Sequence, residues 1–145
     1  AKKPCAWGAV NVLSAFSRIP ERDRSALIQR AVDTGTEFLL SVDPAIADYP
    51  TADGSKPSGR WFSFGFPVFW ATDVLHNLEV LTRLDLRNDP RLSSALDLVL
   101  SKQDQQGRWK MEYTYNGKTL VDIEEKGKPS KWVTLRALRV LKQGQ

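Results

Sequence analysis

Asp73 and His76 stand three residues apart in a segment whose apolar residues, Val74, Leu75, Leu78 and Leu81, recur at helical spacing. Two side chains at that separation on one helix face can meet. A histidine oriented by a carboxylate has the chemistry of a general acid or base near neutral pH. The same pair also suits a solvent-facing helix side with a modest ion pair. Arg136 supplies a guanidinium, which fits a diphosphate or a carboxylate. Residues 61–70, WFSFGFPVFW, hold six of the fourteen aromatic residues, too many for an ordinary loop. Trp61, Phe64 and Trp70, with Trp132 further on, offer ring faces to an apolar ligand. Packed inward, the same rings are a plug that seats a loop on helix ends. Residues 122–125, DIEE, gather three carboxylates that either share a proton or form a solvated acidic edge. Zinc takes three or four protein ligands, and the chain has one cysteine, Cys5, and one histidine. No metal site and no cofactor are therefore expected, and Cys5 reads as a buried small residue beside a helix start.

Five helices are expected to position these groups. The first spans residues 7–19, with Val10, Leu13 and Phe16 inward and Pro20 as its stop. The second spans residues 23–42, with Leu27, Ala31, Phe38 and Leu39 inward. Residues 43–60 carry three of the eight prolines and read as a long surface loop. The third helix covers residues 71–84 and places Asp73 and His76 opposite Val74, Leu78 and Leu81. The fourth covers residues 90–103, with Pro90 in its first turn and Leu96, Val99 and Leu100 on one side. Residues 109–124 alternate in their first half and contain Asn116-Gly117, a hairpin signal. The pairing is imperfect, because a two-residue turn sets Met111 opposite Asp122 and Trp109 opposite Glu124. Ser130 opens a last helix over residues 131–142 that packs through Leu135, Leu138 and Leu141.

The elements repeat. Phe38-Leu39-Leu40-Ser41 matches Leu98-Val99-Leu100-Ser101 at a separation of 60, and Asp43 then falls where Gln103 stands. With 12 extra residues in the first loop, Gly59-Arg60-Trp61 matches Gly107-Arg108-Trp109. Ser17-Arg18-Ile19 corresponds to Thr82-Arg83-Leu84, and Leu78, Val80 and Leu81 recur as Leu138, Val140 and Leu141. Asn11, His76 and Arg136 thereby hold equivalent places on the first, third and fifth helices. About two and a half units of helix, helix and Gly-Arg-Trp exit fill the chain, and such units bury a core only by stacking.

A helix pair closed by Gln103, Gly107 and Trp109 resembles the repeat of the terpenoid cyclases and protein prenyltransferases, in which Gln-x-x-x-Gly-x-Trp fastens the pairs of an α/α toroid. The resemblance implies an all-α, toroid-like arc with a long loop and a small hairpin, its first, third and fifth helices innermost. It implies an isoprenoid or other lipid-like ligand in a cavity lined by those helices. Asp73 and His76 would then be the catalytic candidates, with Arg136, Trp61, Phe64, Trp70 and Trp132 as ligand contacts. The Asp-x-Asp-Asp acid of the cyclases has only DIEE as a counterpart, and the zinc ligands of the prenyltransferases are missing. A non-catalytic helical-repeat module that binds a protein or peptide is the alternative.

Composition agrees with a folded domain and narrows the partners. With 41% hydrophobic and 26% charged residues, the 145-residue chain suits one domain, residues 1–145, and has no apolar run of membrane-spanning length. It opens on Ala-Lys-Lys-Pro and reads as part of something longer. A single cysteine suits a reducing, cytoplasmic compartment. The net charge of +4 is concentrated after Glu125, where six basic residues meet no acid. That tail suits an anionic membrane surface, while no recognised nucleic-acid-binding motif accompanies it.

Overall fold

The computed structural model describes residues 4–51 and 58–142, so residues 52–57 of the expected loop lie outside the described residues. Five helices carry the fold: α1 (Ala6–Phe16), α2 (Ala26–Leu40), α3 (Val74–Arg83), α4 (Ser93–Ser101) and α5 (Lys131–Lys142). Short 3-10 turns lie at Glu21–Asp23, Gly59–Phe62 and Pro90–Leu92. Strand β1 (Trp109–Lys110) pairs antiparallel with β2 (Pro129–Ser130).

Side-chain caps set several helix starts. Ser25 accepts from the Ile28 N–H, Asp73 from the His76 N–H and Ser130 from the Val133 N–H. These caps start α2 and α3 three residues later than the apolar pattern suggests. At the fourth helix the Asp89 carboxylate accepts from the Arg91 N–H, and the chain makes a 3-10 turn before α4 begins.

Two inward faces differ from expectation. On α2, Leu39 is buried and Phe38 packs against the core as expected, but Leu27 is 72% exposed and the helix also buries Val32, Thr36 and Leu40. Helix α5 buries Val133, Arg136, Ala137 and Val140, leaving Leu135 40% exposed. Leu138 and Leu141 still pack against the core, so the expected stripes overlap the buried ones and miss at Leu27 and Leu135, which lie at their edges. Leu100 on α4 is likewise turned outward.

Helix α3 is central, touching α1, α4 and α5, and it is buried on nearly every side. Contacts at both ends show that α1, α3 and α5 run parallel. Trp7 near the start of α1 packs on Trp70 just before α3, while Arg83 at the end of α3 donates to Ser17 after α1. Phe66 stacks on Trp132 near the start of α5, and Arg87 beyond α3 donates to the Leu141 carbonyl near the end of α5.

The exits of α2 and α4 echo one another. Ser41 Oγ donates to the Phe38 carbonyl and Ser101 Oγ to the Leu98 carbonyl, at 2.7 and 2.8 Å. Trp109 Nε1 donates to the Val99 carbonyl at 2.7 Å. At the matching carbonyl of α2, Leu39, the donor is the Tyr49 hydroxyl, also at 2.7 Å. Trp61 Nε1 reaches the Pro44 carbonyl instead, with Tyr49 edge-on to its ring. A residue of the longer first loop thus satisfies the helix end that the tryptophan satisfies in the second copy. Gln103 is exposed. Asp104 organises the second exit, accepting from the N–H groups of Gln106 and Arg108, while Gly107 takes φ +75°.

The expected hairpin over residues 109–124 does not form. Met111 exchanges backbone hydrogen bonds with Gly127 and Lys128, and β1 pairs with the segment just before α5. Asn116 and Gly117 turn a small loop closed by polar contacts: Asn116 Nδ2 donates to the Glu124 carbonyl, and the Gly117 N–H donates to Asp122. A hairpin there would have matched Trp109 and Met111 with acidic residues, and the observed pairing buries both apolar side chains.

Candidate functional site

Asp73, His76 and Arg136 come together at the start of α3, in an arrangement unlike the expected helix-face dyad. Asp73 is the N-cap of α3, so its Oδ1 accepts from the His76 backbone N–H at 2.7 Å and does not orient the ring. The imidazole Nδ1 instead shares a 2.9 Å hydrogen bond with Thr72 Oγ1. Arg136 Nη2 donates to Asp73 Oδ1 at 3.0 Å and Nη1 to Asp73 Oδ2 at 3.2 Å. The same guanidinium donates to the Gly65 carbonyl at 2.6 Å and to Glu79 Oε2 at 2.9 Å. Arg136 is buried, and the expected diphosphate or carboxylate ligand has its place taken by two carboxylates of the chain itself.

Electrostatics follow from this burial. Desolvation, reinforced by Arg136 and opposed by Asp73, lowers the His76 pKa to about 4, so the ring is neutral at pH 7. Burial raises the Glu79 pKa, with Arg136 pulling against it. Burial disfavours the Arg136 charge, but Asp73 and Glu79 more than offset that and its pKa is raised.

The parallel helices bring repeat-equivalent residues into levels. Trp7, Thr72 and Trp132 each lie four residues before Asn11, His76 and Arg136. Asn11 Nδ2 donates to the carbonyls of Trp7 and Trp70, tying the start of α1 to the approach to α3. Trp7 meets Trp70 edge-on at 5.4 Å, and Phe66 stacks on Trp132 at 4.8 Å. Trp70 is 71% exposed and Trp132 36%, so both rings offer surface to a ligand.

Trp61 and Phe64 are buried in the core, as the plug alternative expects. Phe64 borders a cavity of about 220 Å³ with Lys102, Trp109 and Glu112. Lys102 Nζ sits 4.7 Å from the Phe64 ring centre and is held by Glu112 at 2.7 Å. A larger groove of about 450 Å³ runs along α5 beside Arg108, Ser130, Thr134, Leu135 and Leu138. Neither is lined by Asp73, His76 or Arg136.

Thr72 and Glu79 complete the cluster without having been singled out from sequence. His76, Glu79 and Arg83 form a polar stripe at spacings of three and four through an otherwise apolar helix, and that stripe is a signal legible in the sequence. Two carboxylates of residues 122–125 brace loops: Asp122 accepts from the Gly117 N–H and Glu124 from the Lys131 N–H. Cys5 is exposed rather than buried, at the N-cap of α1. Among the described residues no three His, Cys, Asp or Glu side chains come together as metal ligands, and no helix is long and apolar enough to cross a membrane.

Compared with protein-family models, curated proteins and solved structures, the chain finds no match.

Proposed function

We propose that the chain is an arc of an α/α toroid of the terpenoid-cyclase and prenyltransferase kind, whose inner helices bind an apolar, isoprenoid-type ligand. The observation that carries this reading is the parallel register of α1, α3 and α5, with two aromatic pairs at one end and a polar level one turn below. Exposed Trp70 and Trp132 give a branched hydrocarbon flat surface to lie on. Arg136 and Asp73 hold the inner helices in place and leave contact with the ligand to His76. Its Nε2 is the ring nitrogen left to a ligand, because Nδ1 is engaged by Thr72; it accepts where Nδ1 carries the proton and donates where Nδ1 accepts from the hydroxyl. With its pKa lowered to about 4 the imidazole is neutral at pH 7, with no acidic proton to deliver and only weak basicity, which favours binding over the alkene protonation of a cyclase. Titration with farnesol, followed by tryptophan fluorescence, tests the reading. Saturable quenching that Trp132→Ala abolishes is expected. A linear, non-saturating response, or one unchanged in Trp132→Ala, rejects it.

A second reading, the helical-repeat interaction module, draws on Leu135. Its repeat equivalent Leu75 is fully buried between neighbours, whereas Leu135 opens onto the 450 Å³ groove. An apolar helix edge left open in a repeat suits a further helix. Sedimentation of the native chain beside Leu135→Lys tests whether a second copy fills it: equal, monomeric behaviour of the two rejects that occupant.

A further inference from the structure

Three arginines stand at the C-terminal end of the parallel helices. Arg83 is the last residue of α3, Arg139 lies in the last turn of α5, and Arg18 follows α1 by two residues. Two contacts fix them as neighbours. Arg83 Nη1 donates to Ser17 Oγ at 3.1 Å, which lays this guanidinium over the end of α1 beside Arg18. Arg136 Nε donates to Glu79 Oε2 at 2.9 Å, and one turn further along both helices Arg139 comes level with Arg83. The repeat gives Arg18 and Arg83 the same place in their units. All three are exposed, and among the described residues none forms an ion pair with a carboxylate.

Arg83 lies in the repulsive field of the other two. Partial burial lowers the Arg83 pKa; Arg18 and Arg139 lower it further, and Glu79 opposes them while already bonded to Arg136. Three parallel helix ends contribute roughly half a negative charge each, which neutralises about half of the three positive charges. A surplus of positive charge remains.

We propose that Arg18, Arg83 and Arg139 form a binding site for a phosphate-bearing anion of two or more negative charges. Guanidinium forks match phosphate oxygens in pairs, and an anion bridging the three ends relieves their repulsion. The site does not depend on the apolar-ligand reading. It lies at the other end of the helices from Trp7 and Trp132, roughly 10–16 Å away at about 1.5 Å per residue.

Isothermal titration with inorganic pyrophosphate at low ionic strength tests the proposal, with native chain, Arg18→Gln and Arg139→Gln in parallel. Binding that weakens about tenfold in each variant and falls with added salt is expected. A flotation arm with phosphatidylglycerol vesicles identifies the source: a free anion gives the titration response alone, and a lipid headgroup also floats the native chain but not the variants. No response in either arm, or variants that behave as native, overturns the proposal. Thermal melting in anion-free buffer separates the site from simple capping of helix ends. Relief of repulsion leaves Arg139→Gln melting at or above the native chain, and pyrophosphate raises the native midpoint alone. A variant that melts lower in anion-free buffer, with no pyrophosphate effect on either chain, shows that the arginines only compensate the helix dipoles.

Discussion

His76→Asn isolates the electrostatic character of the cluster at the start of α3. Asparagine keeps a polar atom near Thr72 and removes the titrating ring. In the folded chain His76 protonates only near pH 4, against 6.5 when unfolded. Between those values the unfolded state binds more protons, so folding stability falls as pH drops. Above 6.5 both states are neutral and the residue adds no slope. At about 1.4 kcal/mol per pKa unit, the whole window is worth up to about 3 kcal/mol, with a maximum slope of about 1.4 kcal/mol per pH unit. Glu79 acts in the opposite sense: burial raises its pKa, so the native state takes up its proton first and gains stability as pH falls. That contribution is present in both chains and drops out of their difference. Urea unfolding followed by circular dichroism at half-unit steps from pH 7.5 to 4 gives the two curves. The native chain should lose about 2–3 kcal/mol relative to His76→Asn across the window. Curves that stay parallel within about 0.5 kcal/mol show an ordinary histidine and refute the reasoning.

The core yields three more expected outcomes. Arg136→Met strands the carboxylates of Asp73 and Glu79 without their partner and should cost about 3–5 kcal/mol in chemical denaturation. Trp109→Phe removes the donor to the Val99 carbonyl, and Tyr49→Phe the donor to Leu39. Each should cost about 1–3 kcal/mol by thermal melting, in spite of their different loops. Asn77 is fully buried in α3 and neither amide atom is hydrogen-bonded among the described residues, so Asn77→Leu, of the same branching, should raise the melting midpoint by several degrees, about 1 kcal/mol or more.

The helices were legible because their caps and apolar spacing are local. Ser130 opens α5 as expected, and Pro90 and Asp89 mark the approach to α4. Strand pairing was less so. Asn116-Gly117 is a strong local turn signal, and a turn does form there, but the partner of Trp109 is decided by which pairing buries Trp109 and Met111. Face selection missed at Leu27 in α2 and Leu135 in α5 for a related reason. Leu27 and Leu135 are apolar, and only the arrangement of neighbouring helices decides that Val32 and Ala137 are the residues covered.

The polar cluster exposes a sharper limit. Asp73 and His76 were visible as a pair at spacing three, and the spacing proved to be that of a capping carboxylate and the N–H it receives. The true partner of Asp73 lies 63 residues away on α5, and no local rule reaches it. The repeat does, in part. Because α1, α3 and α5 run parallel and their units match at fixed offsets, Asn11, His76 and Arg136 share one level, and Arg18 and Arg83 another. Each level therefore takes its character from the alignment of the units rather than from any one helix. Central α3, buried on nearly every side, can carry Asp73 and Glu79 only because the matching level of α5 supplies Arg136. The level at the helix ends has arginines in α3, in α5 and just beyond α1 and, among the described residues, no carboxylate ion-paired to them, which leaves their charge to be met from outside those residues.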